Sequence, residues 1–258
     1  MFDDNKMALN HLRASREKNK KVKRFFKILS KSLVDKSFSN LNSSNKKRVL
    51  ELASRNNYFH DSFLKIKPDI ELHNTTFNKN ILLNYKKSVV AKLENQVFKN
   101  NYFDICFCVF AINYCKDINI VFRNVYNQLK KKGVFLAVFV SEDCLKEFKK
   151  IFFDFFKVES NYHFLPMINI QTIGNIGLAS GFKNVVVDKE IFQLQVKKPE
   201  DIWQFIRDIG ESNIISQRRK LKIKKNDYKN FYIKCKESIE QNKMSSNTLS
   251  FNFFIGIK

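Results

Sequence analysis

Arg48-Val49-Leu50-Glu51-Leu52-Ala53-Ser54-Arg55-Asn56-Asn57 decides how the rest of the chain is read. Val49-Leu50-Glu51-Leu52 reads as a short buried strand, entered from the polar run Asn45-Lys46-Lys47 and left through small and polar residues. In a doubly wound α/β domain the ligand lies beyond the carboxyl end of such a first strand. Glu51 and the turn after it are therefore the candidate binding element. That turn holds no glycine, and none occurs anywhere before Gly133. Glycine is the residue that lets a turn take positive φ and lets a ligand approach the backbone.

Outward from this strand the hydrophobic pattern alternates between short buried runs and helical spacings. Phe103-Asp104-Ile105-Cys106-Phe107-Cys108-Val109-Phe110 is apolar apart from one acid, a density that implies burial on both faces, as in a parallel sheet. Val134 to Val140 reads the same way. Between them Ile118, Phe122, Val125 and Leu129 step at helical intervals. Lys130-Lys131-Lys132 followed by Gly133 reads as the stop of that helix. Weaker signals predict helices over 57–66 and 77–85, and strands over 70–73 and 88–91. Leu145, Phe148, Phe152, Phe155 and Phe156 give a further amphipathic helix. Residues 48–157 thus read strand, helix, strand, helix, strand, strand, helix, strand, helix, which implies a parallel sheet covered on both sides.

The flanks are simpler. Residues 3–34 read as one helix, with Val22, Phe25, Phe26, Leu29 and Leu33 on its buried side, and 35–47 as a linker. Beyond the core come a helix over 173–179 and strands over 184–187 and 191–196. A helix opens with Pro199-Glu200-Asp201 and carries Ile202, Trp203, Ile206 and Ile209. The alternating Leu249, Phe251, Phe253, Ile255 and Ile257 form a closing strand.

The 258 residues carry a net charge of +22 with 44% apolar residues, enough for a proper core. The excess is mostly lysine, which reads as compositional bias on solvated faces ahead of nucleic-acid binding. No nucleic-acid motif accompanies it. Five cysteines at 106, 108, 115, 144 and 235 match no zinc spacing, so no metal is expected. Cys106 and Cys108 fall on one strand face as small core residues in a reducing compartment. No apolar run reaches the roughly 20 residues of a membrane helix. The acidic Met1-Phe2-Asp3-Asp4 is unlike a secretory signal. With no transit peptide before Phe2, a bacterial cytoplasm is expected ahead of a mitochondrial matrix.

Several local strings, in order, resemble one family. Phe2-Asp3 with Arg13-Ala14-Ser15 is similar to its opening, and Val49-Leu50-Glu51-Leu52 to its first strand and acid. Phe103-Asp104-Ile105 is similar to its fourth strand, and Leu129-Lys130-Lys131-Lys132-Gly133-Val134-Phe135 to the turn before its fifth. Asp143-Cys144-Leu145-Lys146-Glu147, His163 with Pro166, and Gly174 with Ser180-Gly181-Phe182 follow in place. Ile209-Gly210-Glu211-Ser212-Asn213 is the most specific match. The chain resembles class I S-adenosylmethionine (SAM) methyltransferases. The nearest branch holds the malonyl carrier-protein methyltransferase of biotin synthesis and the complex I assembly factor described as an arginine hydroxylase.

The resemblance implies an α/β, Rossmann-like fold: a mostly parallel seven-stranded sheet with helices on both faces and an N-terminal helical arm. It divides the chain into arm and linker (1–46), SAM-binding-type core (47–160) and a C-terminal part completing the sheet and covering the cleft (161–258). It implies SAM as cofactor, with Glu51, Ala53, Ser54, Asn57, Asn74, Lys92, Leu93, Glu94 and Phe110 around it, and Tyr114, His163 and Asn213 at the substrate cleft. Glu51 would face the cofactor's ammonium, or else pair with Arg48 or Arg55. Asn74 would meet a ribose hydroxyl, or else be a turn residue. Glu94 would replace a missing aspartate, or else be a solvated loop acid. Trp203 lines the cleft or belongs to the core, and Arg218-Arg219-Lys220 reads as a solvated face.

Departures from the family pattern cluster at the cofactor. Its three loop glycines fall on Ala53, Arg55 and Asn57, the second-strand acid on His73 or Asn74, the third-loop aspartate on Lys92, and a His-Trp pair on Asn113-Tyr114. Arg55 and Asn57 would fill the space of SAM's methionine part, while Asn57 could keep the turn left-handed. Two functions follow: a SAM-dependent transferase or hydroxylase acting on a protein or carrier-linked group, or a non-catalytic assembly scaffold that has lost the cofactor. An RNA-binding role ranks third.

Overall fold

Seven strands form one sheet in the order β3-β2-β1-β4-β5-β7-β6. The computed structural model describes residues 2–16, 19–41, 46–81, 87–157, 163–165, 167–216 and 223–258. β1 (Arg48–Leu52), β2 (Glu71–Thr76), β3 (Lys87–Val90), β4 (Phe103–Val109) and β5 (Leu129–Val140) run parallel. β7 (Ser246–Ile257) inserts antiparallel between β5 and β6 (Lys183–Gln195). The order reverses between β1 and β4, so the crevice beyond their carboxyl ends is the switch point of the sheet.

The period-2 alternation of β4 sets the two cores. Ile105, Phe107 and Val109 join one cluster and Cys106 and Cys108 the other. On the first face lie α2 (Lys20–Leu41), α3 (Tyr58–Ile66), α5 (Lys146–Phe156), α7 (Glu200–Asp208) and α8 (Lys225–Glu240). α1 (Asp4–Ser15), α4 (Ile118–Gln128) and α6 (Ile170–Ala179) contribute to the second. Phe107 stacks on Phe63 at 5.1 Å and meets Phe59 at 5.7 Å.

Several boundaries depart from the sequence expectations, each for a local reason. The single helix over 3–34 is two helices. Asn19 accepts the Lys21 N–H through its side chain and donates to Asp208, so α2 starts afresh there. The expected linker from residue 35 is helical as far as Leu41. Val34 is buried and Lys36 pairs with Asp188 and Glu190 of β6, so packing overrides a composition of Ser, Asn and Lys. No helix forms over 77–81, and 82–86 lies outside the described residues, as do Pro166 and the Arg218-Arg219-Lys220 run.

The expected lysine–glycine helix stop is also corrected. α4 ends at Gln128 and Leu129 already belongs to β5. Lys132, not Gly133, takes the left-handed conformation, with φ +65°. Gly133 is demanded by crowding instead, since a Cβ there would lie 2.8 Å from the Lys130 carbonyl oxygen. The two strands expected over 184–187 and 191–196 are one strand, β6, with a register shift between Lys183 and Val186. The sequence reading missed α8, although its buried Phe231, Cys235 and Ser238 are spaced four and three apart. Phe231 packs against Phe152 and Phe156 of α5, at 5.5 and 5.1 Å.

α6 reaches the sheet through Gly177, where an added Cβ would lie 2.4 Å from Cε2 of Phe254. That ring is fully buried and ringed by Phe122, Phe135 and Phe182, so it has nowhere to go. Gly177→Val should therefore destabilise the chain by about 1–3 kcal/mol through overpacking, seen in denaturant unfolding. Phe254→Leu in the same chain should recover part of the loss. Additive effects would show that the contact does not limit packing.

Candidate functional site

The carboxyl ends of β1, β2 and β4 form one rim. Glu51 sits on β1 in register with Asn74 of β2 on one side and Phe107 of β4 on the other, and is buried. Ala53 follows with φ +52°, taking the left-handed turn that a glycine would take freely. Its N–H donates to the Thr75 hydroxyl at 2.9 Å, and the Ser54 N–H donates to the Thr75 carbonyl at 2.7 Å. These two bonds fasten the turn to β2. Asn57 has φ −91°, so it does not supply the left-handed residue; Ala53 does. Phe110, at the end of β4, is fully buried with φ +57°.

Arg55 crosses this rim. It is 4% exposed, and its Nη1 donates to Glu211 Oε1 at 2.7 Å and to the Ile209 carbonyl at 2.9 Å. Its Nη2 donates to the Val109 carbonyl at 3.2 Å, and its guanidinium carbon stands 5.9 Å from the centre of the Phe110 ring. One cation thus joins the turn after β1, the end of β4 and the segment after α7. Gly210, at φ +85°, makes room: a Cβ there would meet Ala14 at 3.1 Å and Arg55 Nη1 at 3.3 Å. Asn10 of α1 adds a bond from Nδ2 to the Ser212 carbonyl at 2.8 Å.

Glu51 is not Arg55's hydrogen-bonded partner, and Arg48 pairs instead with Glu71. Burial pushes the Glu51 carboxyl up to about 8, against smaller lowering effects of a Ser54 hydrogen bond and the Arg55 charge. Burial likewise pushes Glu211 up to about 7, opposed by Arg55. Glu51 Oε2, the Tyr114 hydroxyl, both ring nitrogens of His11, Asn74 Nδ2 and Asn57 Oδ1 are buried with no hydrogen-bond partner among the described residues. His11 and Tyr114 lie ring to ring at 6.4 Å. Burial first, and the Arg55 charge second, hold His11 well below the usual histidine range. Buried polar groups are nearly always paired, so such a cluster marks a place suited to a polar ligand.

The other expected cofactor residues divide. Asn74 is no turn residue, because β2 continues through Thr75 and Thr76. Its Oδ1 accepts from the Ser88 hydroxyl. Leu93 is buried. Lys92 is solvated and paired with Asp4, and it borders a hollow of about 260 Å³ with Met7, Phe77 and Ala91. Glu94 faces away: it accepts the Lys116 N–H and braces the loop before α4. Thr75, Asn10 and His11 were not singled out from the sequence. A hydroxyl at a strand tip and a polar pair inside an amphipathic helix carry no pattern of their own.

Beside the rim lies a cavity of about 410 Å³. Phe148 and Phe152 of α5, Trp203 and Ile206 of α7, and Leu249 and Phe251 of β7 make it mostly apolar. His163 and Asn213 both line it, and Asn213 Nδ2 donates to the His163 carbonyl at 3.1 Å. Tyr114 does not line it; its neighbour Asn113 does, with Oδ1 accepting the Val140 N–H at 3.2 Å. Trp203 is half-buried against the cavity rather than sealed in the core. Glu211 also lines it, so the Arg55–Glu211 pair forms the wall between rim and cavity. Lys149 projects at one side, donating to the Glu142 carbonyl at 3.0 Å, and burial lowers its ammonium from the usual range. Among the described residues no group of His, Cys, Asp and Glu is placed to hold a metal ion, and no helix is long and apolar enough to cross a membrane.

A methyltransferase-domain family model matches residues 67–137, beginning beyond the Ala53–Asn57 turn. The fold is that of YcgJ from Bacillus subtilis, with a TM-score of 0.57 over 89% of this chain and 97% of that one at 16% identity. The chain has the Rossmann-like fold of solved methyltransferases. Phosphoethanolamine N-methyltransferase 2 of Haemonchus contortus, solved with S-adenosylhomocysteine, aligns with a TM-score of 0.51 over 89% of this chain and 52% of that one, at 17% identity. Among curated relatives, a methyltransferase-named protein of Rickettsia prowazekii is 29% identical over 51% of this chain and 60% of its own length. The malonyl-[acyl-carrier protein] O-methyltransferase of Gallionella capsiferriformans is 25% identical over 50% and 44%. The mitochondrial arginine-hydroxylase NDUFAF5 of Danio rerio is 26% identical over 52% and 42%. This methyltransferase-fold chain therefore spans less than two thirds of these curated relatives' lengths.

The raised Glu51 carboxyl makes a stability prediction. The folded chain keeps a proton that the unfolded chain releases above its ordinary value of 4.5. The stability so contributed is complete below that value and is lost as pH rises through about 8. Glu51→Gln, which stays neutral, should match the wild type near pH 5 and melt several degrees higher near pH 9, at roughly 2–4 °C per kcal/mol. A wild type that gains on the variant as pH rises would contradict the assignment.

Proposed function

We propose that the chain binds SAM at the rim of β1, β2 and β4 and acts as a methyltransferase-family protein on an acceptor held in the neighbouring apolar cavity. The observation that carries this reading is Glu51: a buried carboxylate with one unsatisfied oxygen, at the carboxyl end of a central parallel strand. The donor set fits the cofactor. Glu51 can face its ammonium, while Asn74 Nδ2 and the Tyr114 hydroxyl, both without a partner among the described residues, can meet its polar ribose. Leu93, packed in the same cluster as Ala53 and Tyr114, offers apolar surface for the base, whereas Phe110 packs into the opposite core with Phe25 and Phe251. The space is the part that conflicts, since Arg55 lies across the rim.

Bound there, SAM supplies a methyl group made electrophilic by its sulfonium. The chain's own contribution is positioning and the exclusion of water. Phe152, Trp203 and Phe251 would hold an apolar acceptor body, and Lys149 would stand near an anionic or carbonyl head. This favours a carrier- or protein-linked acyl group over a guanidinium, which the cations Lys149 and Arg207 on the same cavity would repel. Among the named relatives, the malonyl carrier-protein enzyme offers the better analogy and NDUFAF5 the poorer. A place in biotin synthesis is accordingly preferred to one in respiratory complex I assembly.

A second reading has an observation of its own. Ser54, Arg55 and Phe110 are each buried, so the rim is closed by the chain itself. A methyltransferase-fold scaffold that has discarded the cofactor would be built this way.

Calorimetry with SAM separates the two. The first reading expects saturable binding below about 1 mM, tightening several-fold from pH 6.5 to 8.5, because the ligand's cation favours ionised Glu51 and expels its proton. A folded chain that shows no heat at millimolar SAM across that range would leave the scaffold reading standing.

A further inference from the structure

We infer that Arg55 is the chain's own occupant of the cofactor's cationic subsite: its guanidinium fills the place of SAM's ammonium end and must leave for that end to enter. The inference rests on the SAM-binding reading above and goes beyond it by naming an internal competitor.

The argument is geometric. In the turn after β1, where the resembled family has a glycine, Arg55 turns its side chain inward, to 4% exposure, instead of outward to water. An arginine on a surface turn has every reason to stay solvated, because burying its charge demands compensation on all sides. Here compensation is supplied by the groups that would otherwise face a ligand cation. The Val109 carbonyl at the end of β4 accepts Nη2, and the Phe110 ring lies under the guanidinium. The Ile209 carbonyl and Glu211 accept Nη1. Glu51 lies close enough to feel the charge but keeps one oxygen unbonded. The subsite is thus built for two cation contacts, of which Arg55 makes one set and leaves the carboxylate at the strand tip unused. Because Glu211 lines the acceptor cavity, the same pair also blocks passage between rim and cavity. Release of Arg55 would expose the methionine end of the cleft and join the two spaces in a single motion.

Competition of this kind is selective by ligand part. It opposes SAM and S-adenosylhomocysteine, which carry the ammonium, and is indifferent to 5′-methylthioadenosine, which does not. The test is calorimetry of the full chain, wild type against Arg55→Ala, with S-adenosylhomocysteine and 5′-methylthioadenosine as probes. The expected result is at least a tenfold gain in affinity for the first and no more than a twofold change for the second. Because Arg55→Ala strands the Glu211 carboxylate, Arg55→Ala/Glu211→Gln serves if the single variant does not fold. Equal affinity of wild type and variants for S-adenosylhomocysteine would overturn the inference while leaving the SAM-binding reading intact. So would a parallel gain for both probes, which marks general loosening. If folded wild type and variants bind neither probe at millimolar concentration, it is the SAM-binding reading that has failed, and this inference falls with it.

Discussion

A single buried guanidinium holds the carboxyl edge of this sheet together. Arg55 bonds to the end of β4 and to the segment after α7, while its own backbone belongs to the turn leaving β1. The ends of β1 and β4 already meet through their shared ladder, and Arg55 ties the segment after α7 to both. A charge that has lost its water must be compensated at close range, so each of them is constrained to the geometry of the cation. The N-terminal helix α1 is drawn into the same knot through Gly210 and the Asn10–Ser212 bond.

The two sides of that wall differ in character. On the rim side lie unsatisfied polar atoms: one Glu51 oxygen, the Tyr114 hydroxyl and the His11 ring nitrogens. On the cavity side lie aromatic rings, with Lys149 and His163 at the margin. A polar, charged ligand suits the first and an apolar acceptor the second. Their separation by one ion pair is what a two-substrate site requires when the reacting groups must meet only after both have entered. It is also what a retired site would show once a side chain had taken the ligand's position. The difference between these lies in how readily Arg55 yields.

How much of this was legible beforehand can be judged from particular residues. The alternation around Phe107 announced a strand buried on both faces, and Cys106 and Cys108 do share one side. Glu51 was placed correctly on the central strand from four residues of pattern. Arg55 was expected at the cofactor space because it stands where the resembled family has glycine, and its side chain is found turned inward to Glu211 and Val109. The expectation for Asn57 failed, because turn conformation depends on where the chain is fastened, and Thr75 fastens it at Ala53. The helix α8 was missed although its apolar spacing was present, since frequent lysines and asparagines masked a narrow buried stripe. His11 and Thr75 had no signal at all: each matters only through what lies opposite it.

The sequence by itself determined the layer order, the central strand with its acid, and the absence of a flexible glycine turn behind it. These are properties of neighbours along the chain, where periodicity of 2 or 3.6 residues reports which side is buried. Only the tertiary structure decided that Arg55 turns inward to Glu211 and Val109, that Glu94 turns away, and that His163 and Asn213 share a cavity wall. Those outcomes depend on pairing a charge or a polar atom with a partner 22 to 156 residues distant, or on the lack of one. No local pattern encodes a partner that the fold alone brings within reach.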